Sequence, residues 1–492
     1  SSAFLKYADF SHYADYFNGM EDENIVQAIP NAKASEWMEE NIPLFECPQH
    51  NFEEMYYYRW WSLRKHIKET PVGYGMTEFL VQRSYSDKYN LIACAIGHHI
   101  YESRWLRDPK YLDQIIHTWY RGNDGGPMKK MDKFSSWNAD AVLARYMVDG
   151  DKDYLLDMKK DLETEYQRWE RTNRLKNGLY WQGDVQDGME ESISGGRRKK
   201  YARPTINSYM YGNAKALSCI GILSGDEGMA MKYGMRADTL KNLVENELWN
   251  TRHQFFETMR TDSSANVREA IGYIPWYFNL PDTTQKYEIA WKEIMDAKGF
   301  SAPYGLTTAE RRHPEFRTRG VGKCEWDGAI WPFASAQTLT AMANFMNNYP
   351  QTVLSDSVYF RQMELYVESQ YHRGRPYIGE YLDEVTGYWL KGDQERSRYY
   401  NHSTFNDLII TGLIGLRPRL DNTIEVNPLI PADKWDWFCL DNVLYHGHNL
   451  TILWDKNGDR YHCGKGLRIF VDGKEVGQAD TLTKIVCENA LK

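Results

Sequence analysis

The chain has 492 residues, a formal net charge of -9 at pH 7 and an isoelectric point near 5.9. This length is sufficient for two to four ordinary domains, or for one large enzyme domain with a small appendage. An acidic surface repels nucleic acid and anionic lipid on average, so the composition argues against both as partners and favours a neutral substrate.

Aromatic residues are the unusual feature of the composition. There are 17 Trp, 35 Tyr and 18 Phe, yet the mean hydropathy is -0.66, so many rings must lie among polar residues. Ring faces beside hydrogen-bonding groups suit the C–H faces and hydroxyl groups of sugars. The composition is therefore compatible with carbohydrate binding, for example of an oligosaccharide or a polysaccharide-derived substrate.

The seven cysteines are scattered and never form a C-x-x-C pair, so we expect neither a disulfide framework nor a zinc cluster. The sequence predicts no metal and no cofactor. The first residues lack the apolar stretch of a signal peptide, and no apolar run is long enough to span a bilayer. We expect a soluble protein without membrane insertion, and a mature exported chain would have the same features.

The chain divides into three parts by its hydrophobic period. Residues 1–49 are predicted to form an N-terminal arm, residues 50–416 a helical catalytic domain, and residues 417–492 a small antiparallel β-domain. The helical period occurs at 52–69, 88–107, 110–121, 136–148, 153–171, 206–223, 227–247, 284–297, 329–347, 355–372 and 403–414. So many helices without a sheet must cover one another, and a two-layered ring is one economical arrangement.

Acidic residues are densest outside the helices between Asp184 and Glu191, a glycine-containing segment that also holds Asp187 and Glu190. An aromatic stretch precedes it, and an aromatic wall can raise the pKa of a carboxyl group enough for general acid catalysis. A solvated acidic turn or a cation site would have the same sequence features.

A second carboxylate, Glu380, stands between aromatic residues just before a turn that contains Asp383 and Glu384. This position suits a base that activates water beside a bound sugar. A β-hairpin with acidic turn residues is the alternative.

Trp326, Asp327 and Trp331 precede a helix that Pro332 is expected to start. Two indole rings beside a carboxylate could bind a sugar. Alternatively, the two tryptophans only pack in the core where the helix begins, which explains the pattern nearly as well.

His98 and Glu102 are spaced to share one helix face, where a polar pair lining the barrel is favoured over a metal site. Arg59 and Trp60 lie on a helix rich in aromatic residues. Its rings either pack in the hydrophobic core or line a ligand-binding site.

In order and spacing, these segments resemble the (α/α)6-barrel glycosidases related to glycoside hydrolase families 63 and 37, especially the bacterial mannosylglycerate-hydrolase-like group. The resemblance covers about residues 50–418. Gln186-Asp-Gly-Met-Glu190 resembles the segment Glu-Ser-Gly-x-Asp, which ends in the family's general acid. Glu380-Tyr-Leu-Asp-Glu-Val-Thr-Gly387 resembles Glu-x-Tyr-x-Pro-x-Thr-Gly, which begins with the general base.

Three further stretches support the resemblance. Trp326-Asp-Gly-Ala-Ile-Trp-Pro332 resembles Trp-Arg-Gly-Pro-Ile-Trp-Pro, while Arg203-Pro-Thr-Ile-Asn-Ser-Tyr209 and Gly272-Tyr-Ile-Pro-Trp276 resemble barrel-lining stretches of an uncharacterised subgroup. The resemblance implies a mainly α fold, an (α/α)6 toroid with a small C-terminal antiparallel β-domain. It also implies an exported bacterial enzyme, whereas the unpaired thiols would also fit a reducing cytosol.

We therefore expect a glycosidase, exo-acting and inverting, that works as a monomer or weak homo-oligomer. Glu380 is the predicted base and Glu190 the predicted acid, with Asp187 as a competitor because Glu190 stands where relatives have Asp. Asp327 replaces the relatives' Arg, which makes the substrate of family 63 an unsafe assumption. The predicted substrate contacts are Trp326, Asp327, Trp331, Arg59, Trp60, His98, Arg203, Asn207, Tyr209 and Trp276. A glycoside phosphorylase on the same barrel, an inactive carbohydrate-binding protein and a polysaccharide lyase are the alternatives.

Overall fold

The computed structural model describes residues 4–492 of the chain, which are rich in α-helix. The α-helices are α1 (Ser11–Asn18), α2 (Ala34–Asn41), α3 (His50–Arg64), α4 (Ile96–Ser103), α5 (Lys110–Arg121), α6 (Asn138–Asp149), α7 (Lys152–Asp157), α8 (Lys159–Asn173), α9 (Pro204–Leu223), α10 (Glu227–Leu243), α11 (Ile274–Tyr277), α12 (Pro332–Asn348), α13 (Asp356–Ser369) and α14 (Asn406–Leu408).

Six of these helices contact one another in cyclic order within residues 4–492, namely α4, α6, α9, α11, α12 and α14. Along the chain they alternate with α3, α5, α8, α10, the 3-10 helix Glu288–Ile294 and α13. An inner helix followed by an outer helix, repeated around a closed ring, is the predicted (α/α)6 toroid. The mainly α fold is therefore confirmed.

Local sequence sets several helix ends in the ring. Pro204 and Pro332 occupy the first positions of α9 and α12, where proline's missing N–H costs nothing and its fixed φ suits a helix. Gly150 ends α6 with φ of 69°, a conformation that glycine adopts without strain. The ring is closely packed: a Cβ added to Gly97 in α4 would lie 2.1 Å from the Trp137 ring.

The predicted antiparallel β-structure near the C-terminus is also present. The sheet has the order β1 (Leu44–Glu46), β13 (Trp437–Tyr445), β14 (His448–Asp455), β15 (Gly466–Val471) and β16 (Lys474–Ala479). The predicted alternating residues face each other across it, since Leu450 pairs with Val471 and Ile452 with Ile469. Strand β1 comes from the stretch predicted as an N-terminal arm, and it pairs with β13.

The remaining strands form short two-stranded ribbons. They are β2 (Ile67–Thr70) with β3 (Gly73–Met76), β4 (Trp181–Gln182) with β5 (Tyr201–Ala202), β6 (Trp249–Asn250) with β7 (Phe255–Phe256), β8 (Ser301–Ala302) with β9 (Gly305–Leu306), β10 (Tyr371–His372) with β11 (Arg375–Pro376), and β12 (Ile424–Val426) with β17 (Ile485–Cys487).

Two segments with a helical period differ from ordinary α-helices. The 284–297 stretch forms the 3-10 helix Glu288–Ile294, and the 403–414 stretch forms α14 followed by the π-helix Ile409–Leu413. Apolar spacing does not distinguish these hydrogen-bonding patterns, because all three place similar residues on the buried face. Among the described residues, no helix combines the length and the apolar character that a membrane crossing requires.

Candidate active site

A cavity of about 760 Å³ lies at one end of the ring. Its walls come from the segments that lead into α4, α6, α9, α12 and α14, so it lies where the inner helices begin. The lining residues are Glu78, Tyr85, Ile92, Cys94, Lys133, Phe134, Trp181, Gly183, Val185, Gln186, Gly188, Glu190, Arg197, Arg198, Cys324, Trp331, Phe333, Glu380, Arg396, Tyr400 and His402. Aromatic rings, carboxyl groups and cations therefore face one space.

A tight turn places Glu190 in this cavity. The 3-10 helix Val185–Asp187 ends at Gly188, whose φ of 73° favours glycine. Gly188 also lies close to a neighbouring wall, because a Cβ added there would be 3.3 Å from Cβ of Cys94. The turn closes when the Met189 N–H donates to the Asp184 carbonyl oxygen at 2.9 Å.

The Glu190 side chain has the electrostatics of a proton donor. Burial raises its pKa to about 7, and the negative charges of Glu380 and Asp184 add to the rise, while Arg197 opposes it. A carboxyl group with this pKa holds a proton near neutral pH and can release it to a leaving group. Glu190 thus has the properties expected of a general acid.

Glu380 lies in the same cavity in the opposite electrostatic setting. Its Oε1 atom is 3.1 Å from Lys391 Nζ and 3.9 Å from Arg396 Nη2. Two cations therefore lie beside the carboxyl group of Glu380. Lys391 is itself held over the Tyr381 ring at 5.1 Å.

Asp187 lies behind the turn, outside the lining of the cavity. Its carboxylate pairs with Arg203 Nε at 2.7 Å, and both side chains are fully buried. It also accepts hydrogen bonds from Thr205 Oγ1 at 2.5 Å and from the Ser135 hydroxyl. A carboxylate with these partners is engaged in holding the turn, which favours Glu190 over Asp187 as the acid.

Trp331 supplies an aromatic wall of the cavity. Its ring stacks on Trp326 with centroids 4.7 Å apart and on Tyr381 at 4.5 Å, while its indole N–H donates to the Glu325 carbonyl oxygen at 3.1 Å. Trp326 lies behind this wall. Asp327 accepts the Arg319 backbone N–H at 2.9 Å, so its carboxylate organises a loop.

Among residues 4–492, Trp331 lines the cavity, whereas the other nine predicted substrate contacts lie outside its lining. Arg59 donates to Gln370 Oε1 and to Ser403 Oγ, each at 2.8 Å. His98 Nε2 lies 3.1 Å from the Phe333 carbonyl oxygen. Both side chains connect segments that support the wall.

The remaining predicted contacts are also engaged within the protein. Asn207 bonds the backbone N–H and C=O of Tyr180 at 2.8 and 2.9 Å, and Tyr209 accepts a hydrogen bond from Gln337 at 2.9 Å. Arg203 is the partner of Asp187. Trp60 and Trp276 are buried among other aromatic rings.

Sequence reasoning missed several residues that line the cavity, including Glu78, Tyr400 and His402. Glu78 follows strand β3, and Tyr400 and His402 precede α14. None of these stretches carries a motif of clustered acidic and aromatic residues that would mark it. Within residues 4–492, no group of three or more metal-ligating side chains is placed to hold an ion.

Two family models match parts of the chain. Residues 88–403 match the mannosylglycerate hydrolase MGH1-like glycoside hydrolase domain, and residues 416–477 match the C-terminal domain of glycosyl hydrolase family 65.

Three solved structures have similar folds. One of them, described as a sialidase, is 95% identical to this chain, with a TM-score of 0.99 over 100% of the chain. This chain spans 45% of the length of that protein. The family 63 mannosylglycerate hydrolase of Thermus thermophilus with Tris is 12% identical, with a TM-score of 0.55 over 71% of this chain and 98% of that one. The family 78 rhamnosidase of Bacillus sp. GL1 is 11% identical, with a TM-score of 0.58 over 87% of this chain and 41% of that one.

The last two likenesses concern the fold alone. The family model, in contrast, spans well over half of the chain and includes the segments of Glu190 and Glu380. The chain therefore belongs to the MGH1-like glycoside hydrolase domain family.

Proposed function

We propose that the chain is an inverting, exo-acting glycosidase in which Glu190 is the general acid and Glu380 the general base. The observation that carries this proposal is the pair of carboxyl groups in one cavity, of which Glu190 has its pKa raised to about 7 and Glu380 lies beside Lys391 and Arg396. One carboxyl group with a raised pKa and a second one beside cations, both facing one cavity, form an arrangement suited to an acid and a base.

In the proposed reaction, Glu190 gives its proton to the glycosidic oxygen as the bond from that oxygen to the anomeric carbon breaks. Glu380 takes a proton from a water molecule on the opposite face of the sugar, and the water oxygen bonds to the anomeric carbon. The products are a free sugar of inverted configuration and the leaving alcohol. Trp331 and Phe333 would pack against the sugar, and the pocket-like cavity favours release of terminal residues.

The test begins with a panel of plant and host glycans, in which released monosaccharides identify a substrate. Glu380→Gln and Glu190→Gln should then lower kcat by about 10²–10⁴-fold while sugar binding and folding persist. Glu384→Gln is a matched control, because the Glu384 side chain pairs with Arg317 and neither residue lines the cavity. Full activity of Glu380→Gln would refute its role as base.

Proton NMR of the first-formed product decides the stereochemistry. An inverted anomer is expected, and a retained anomer would overturn the inverting mechanism while leaving the glycosidase proposal in place.

A phosphorylase is the second candidate, because Lys133, Arg197 and Arg198 line the cavity and cations can hold phosphate. Cleavage that depends on added inorganic phosphate and yields a sugar phosphate would favour it over hydrolysis. The panel should also include sialosides, because a solved structure that is 95% identical to this chain is described as a sialidase.

A further inference from the structure

A third carboxyl group, that of Glu78, faces the cavity with Glu190 and Glu380. Its side chain is almost completely buried at the end of the β2–β3 ribbon, with 4% exposure. The Cys94 thiol donates to Glu78 Oε1 at 3.2 Å, and the Tyr400 hydroxyl interacts with both Glu78 and Glu380. The proposed acid and base roles leave this group without an assignment.

Charge compensation distinguishes Glu78 from Glu380. Lys391 and Arg396 both approach Glu380, whereas Glu78 makes no ion pair within residues 4–492. A buried carboxylate without a cation is costly, and two further carboxyl groups nearby increase that cost. Burial raises the pKa of Glu78 to about 8, the charges of Glu380 and Glu190 add to the rise, and hydrogen bonds from Cys94 and Tyr400 oppose it.

A neutral carboxylic acid has a property that the ionised form lacks. It carries one O–H donor beside an acceptor oxygen, whereas a carboxylate only accepts. Because Oε1 already accepts a hydrogen bond from the Cys94 thiol, Oε2 is the oxygen that can carry the proton without displacing that bond. Sugar hydroxyl groups complement an O–H donor because they accept hydrogen bonds as well as donate them.

We propose that Glu78 binds the sugar of the proposed glycosidase as a neutral acid, donating a hydrogen bond from Oε2 to a hydroxyl group of the residue held between Glu190 and Glu380. The inference rests on the proposed function and extends it by one specificity-determining contact. It also separates the three carboxyl groups by role, since Glu78 neither gives up a proton nor takes one during turnover.

The test compares Glu78→Gln with Glu78→Ala on a substrate that the panel identifies. Glutamine keeps the size, an acceptor oxygen and N–H donors in place of the O–H donor, and it does not ionise, so the KM of this variant should stay within about threefold of wild type. Alanine removes the contact, and loss of one such hydrogen bond should raise KM by about 2–12-fold. Glu69→Gln is the matched control, because Glu69 lies exposed on the same ribbon.

The pH dependence of KM provides a readout that a merely structural role would not change. Wild-type KM should rise as the pH passes about 8, where Glu78 loses its proton, and the KM of Glu78→Gln should not show this rise. The titratable groups that interact with Glu78 include Cys94, Tyr400, Tyr85, Glu190 and Glu380, and they are unchanged in this variant.

Two results would overturn the inference. If Glu78→Gln lost kcat by more than about 10²-fold with an unchanged KM, Glu78 would be a proton-transferring residue. If glutamine and alanine variants both matched wild type, Glu78 would make no contact with the sugar. Failure of the proposed function is seen separately, as full activity of Glu190→Gln or Glu380→Gln, or as no cleavage or binding of any glycan by the wild type.

Discussion

The buried pair of Asp187 and Arg203 offers a direct way to separate a supporting carboxylate from the catalytic acid. Replacing Asp187 by Asn keeps the shape of the side chain but leaves the Arg203 guanidinium fully buried without its 2.7 Å partner. Breaking a buried ion pair from one side costs about 3–5 kcal/mol, so the free energy of unfolding should fall by that amount. The hydrogen bonds from Ser135 and Thr205 would be weakened as well.

Urea unfolding, followed by circular dichroism, measures this loss. The control is Asp132→Asn, which breaks a pair with Arg168 at 3.3 Å in which Asp132 is 46% exposed. Because Asp132 is open to solvent, this pair should contribute about 0–1 kcal/mol. In Asp187→Asn, activity should fall only as far as the turn that carries Glu190 is disturbed. A variant as stable as wild type but without turnover would refute this reasoning and make Asp187 the acid.

Further predictions follow from three side chains in the cavity. Wild-type kcat/KM should decline above about pH 7, because Glu190 must hold its proton and its pKa is raised to about 7; a profile flat from pH 5 to 9 would contradict this assignment. Trp331→Ala should raise KM about 5–100-fold through lost ring contact with the sugar, with a smaller change in kcat, as steady-state kinetics would show. In the folded protein the pKa of Glu78 is about 8, whereas its ordinary value is 4.5. Between pH 4.5 and pH 8 the folded protein therefore keeps this proton while the unfolded chain loses it, so the free energy of unfolding falls as the pH rises through this range. Glu78→Gln should therefore be the more stable protein at pH 8, by up to about 5 kcal/mol in thermal unfolding, and an equal difference at pH 4 and pH 8 would contradict it.

The sequence was most informative where periodicity and local motifs act over short distances. The 3.6-residue period predicted the helices, the family resemblance implied their closed ring, and the alternation of Leu450 and Ile452 predicted a strand that the structure contains. The segments of Glu190 and Glu380 were found because each combines an acidic residue with aromatic or glycine neighbours, and both residues line the cavity. Their catalytic roles stay a prediction.

The cavity wall was harder to predict because it is assembled from distant stretches. Glu78 lies between Thr77 and Phe79, and only the ring closure brings it beside Tyr400 and Glu380. Conversely, Arg59 and His98 have residue types suited to sugar binding, yet each forms hydrogen bonds to the protein behind the wall. A single sequence does not tell whether a polar side chain faces a ligand or holds a neighbouring loop.

The pairing of β1 with β13 has a consequence for the order of assembly during synthesis. Leu44 lies opposite Asp441, so these two strands are separated by about 400 residues of chain, and the whole ring is made between them. Until β13 leaves the ribosome, the edge of β1 has no partner, and an unpaired strand edge favours association with other chains. Removing residues 4–49 would leave the edge of β13 uncovered in the same way. The sheet thus joins strands from two distant parts of the chain, and β1 stays without this partner until β13 has been made.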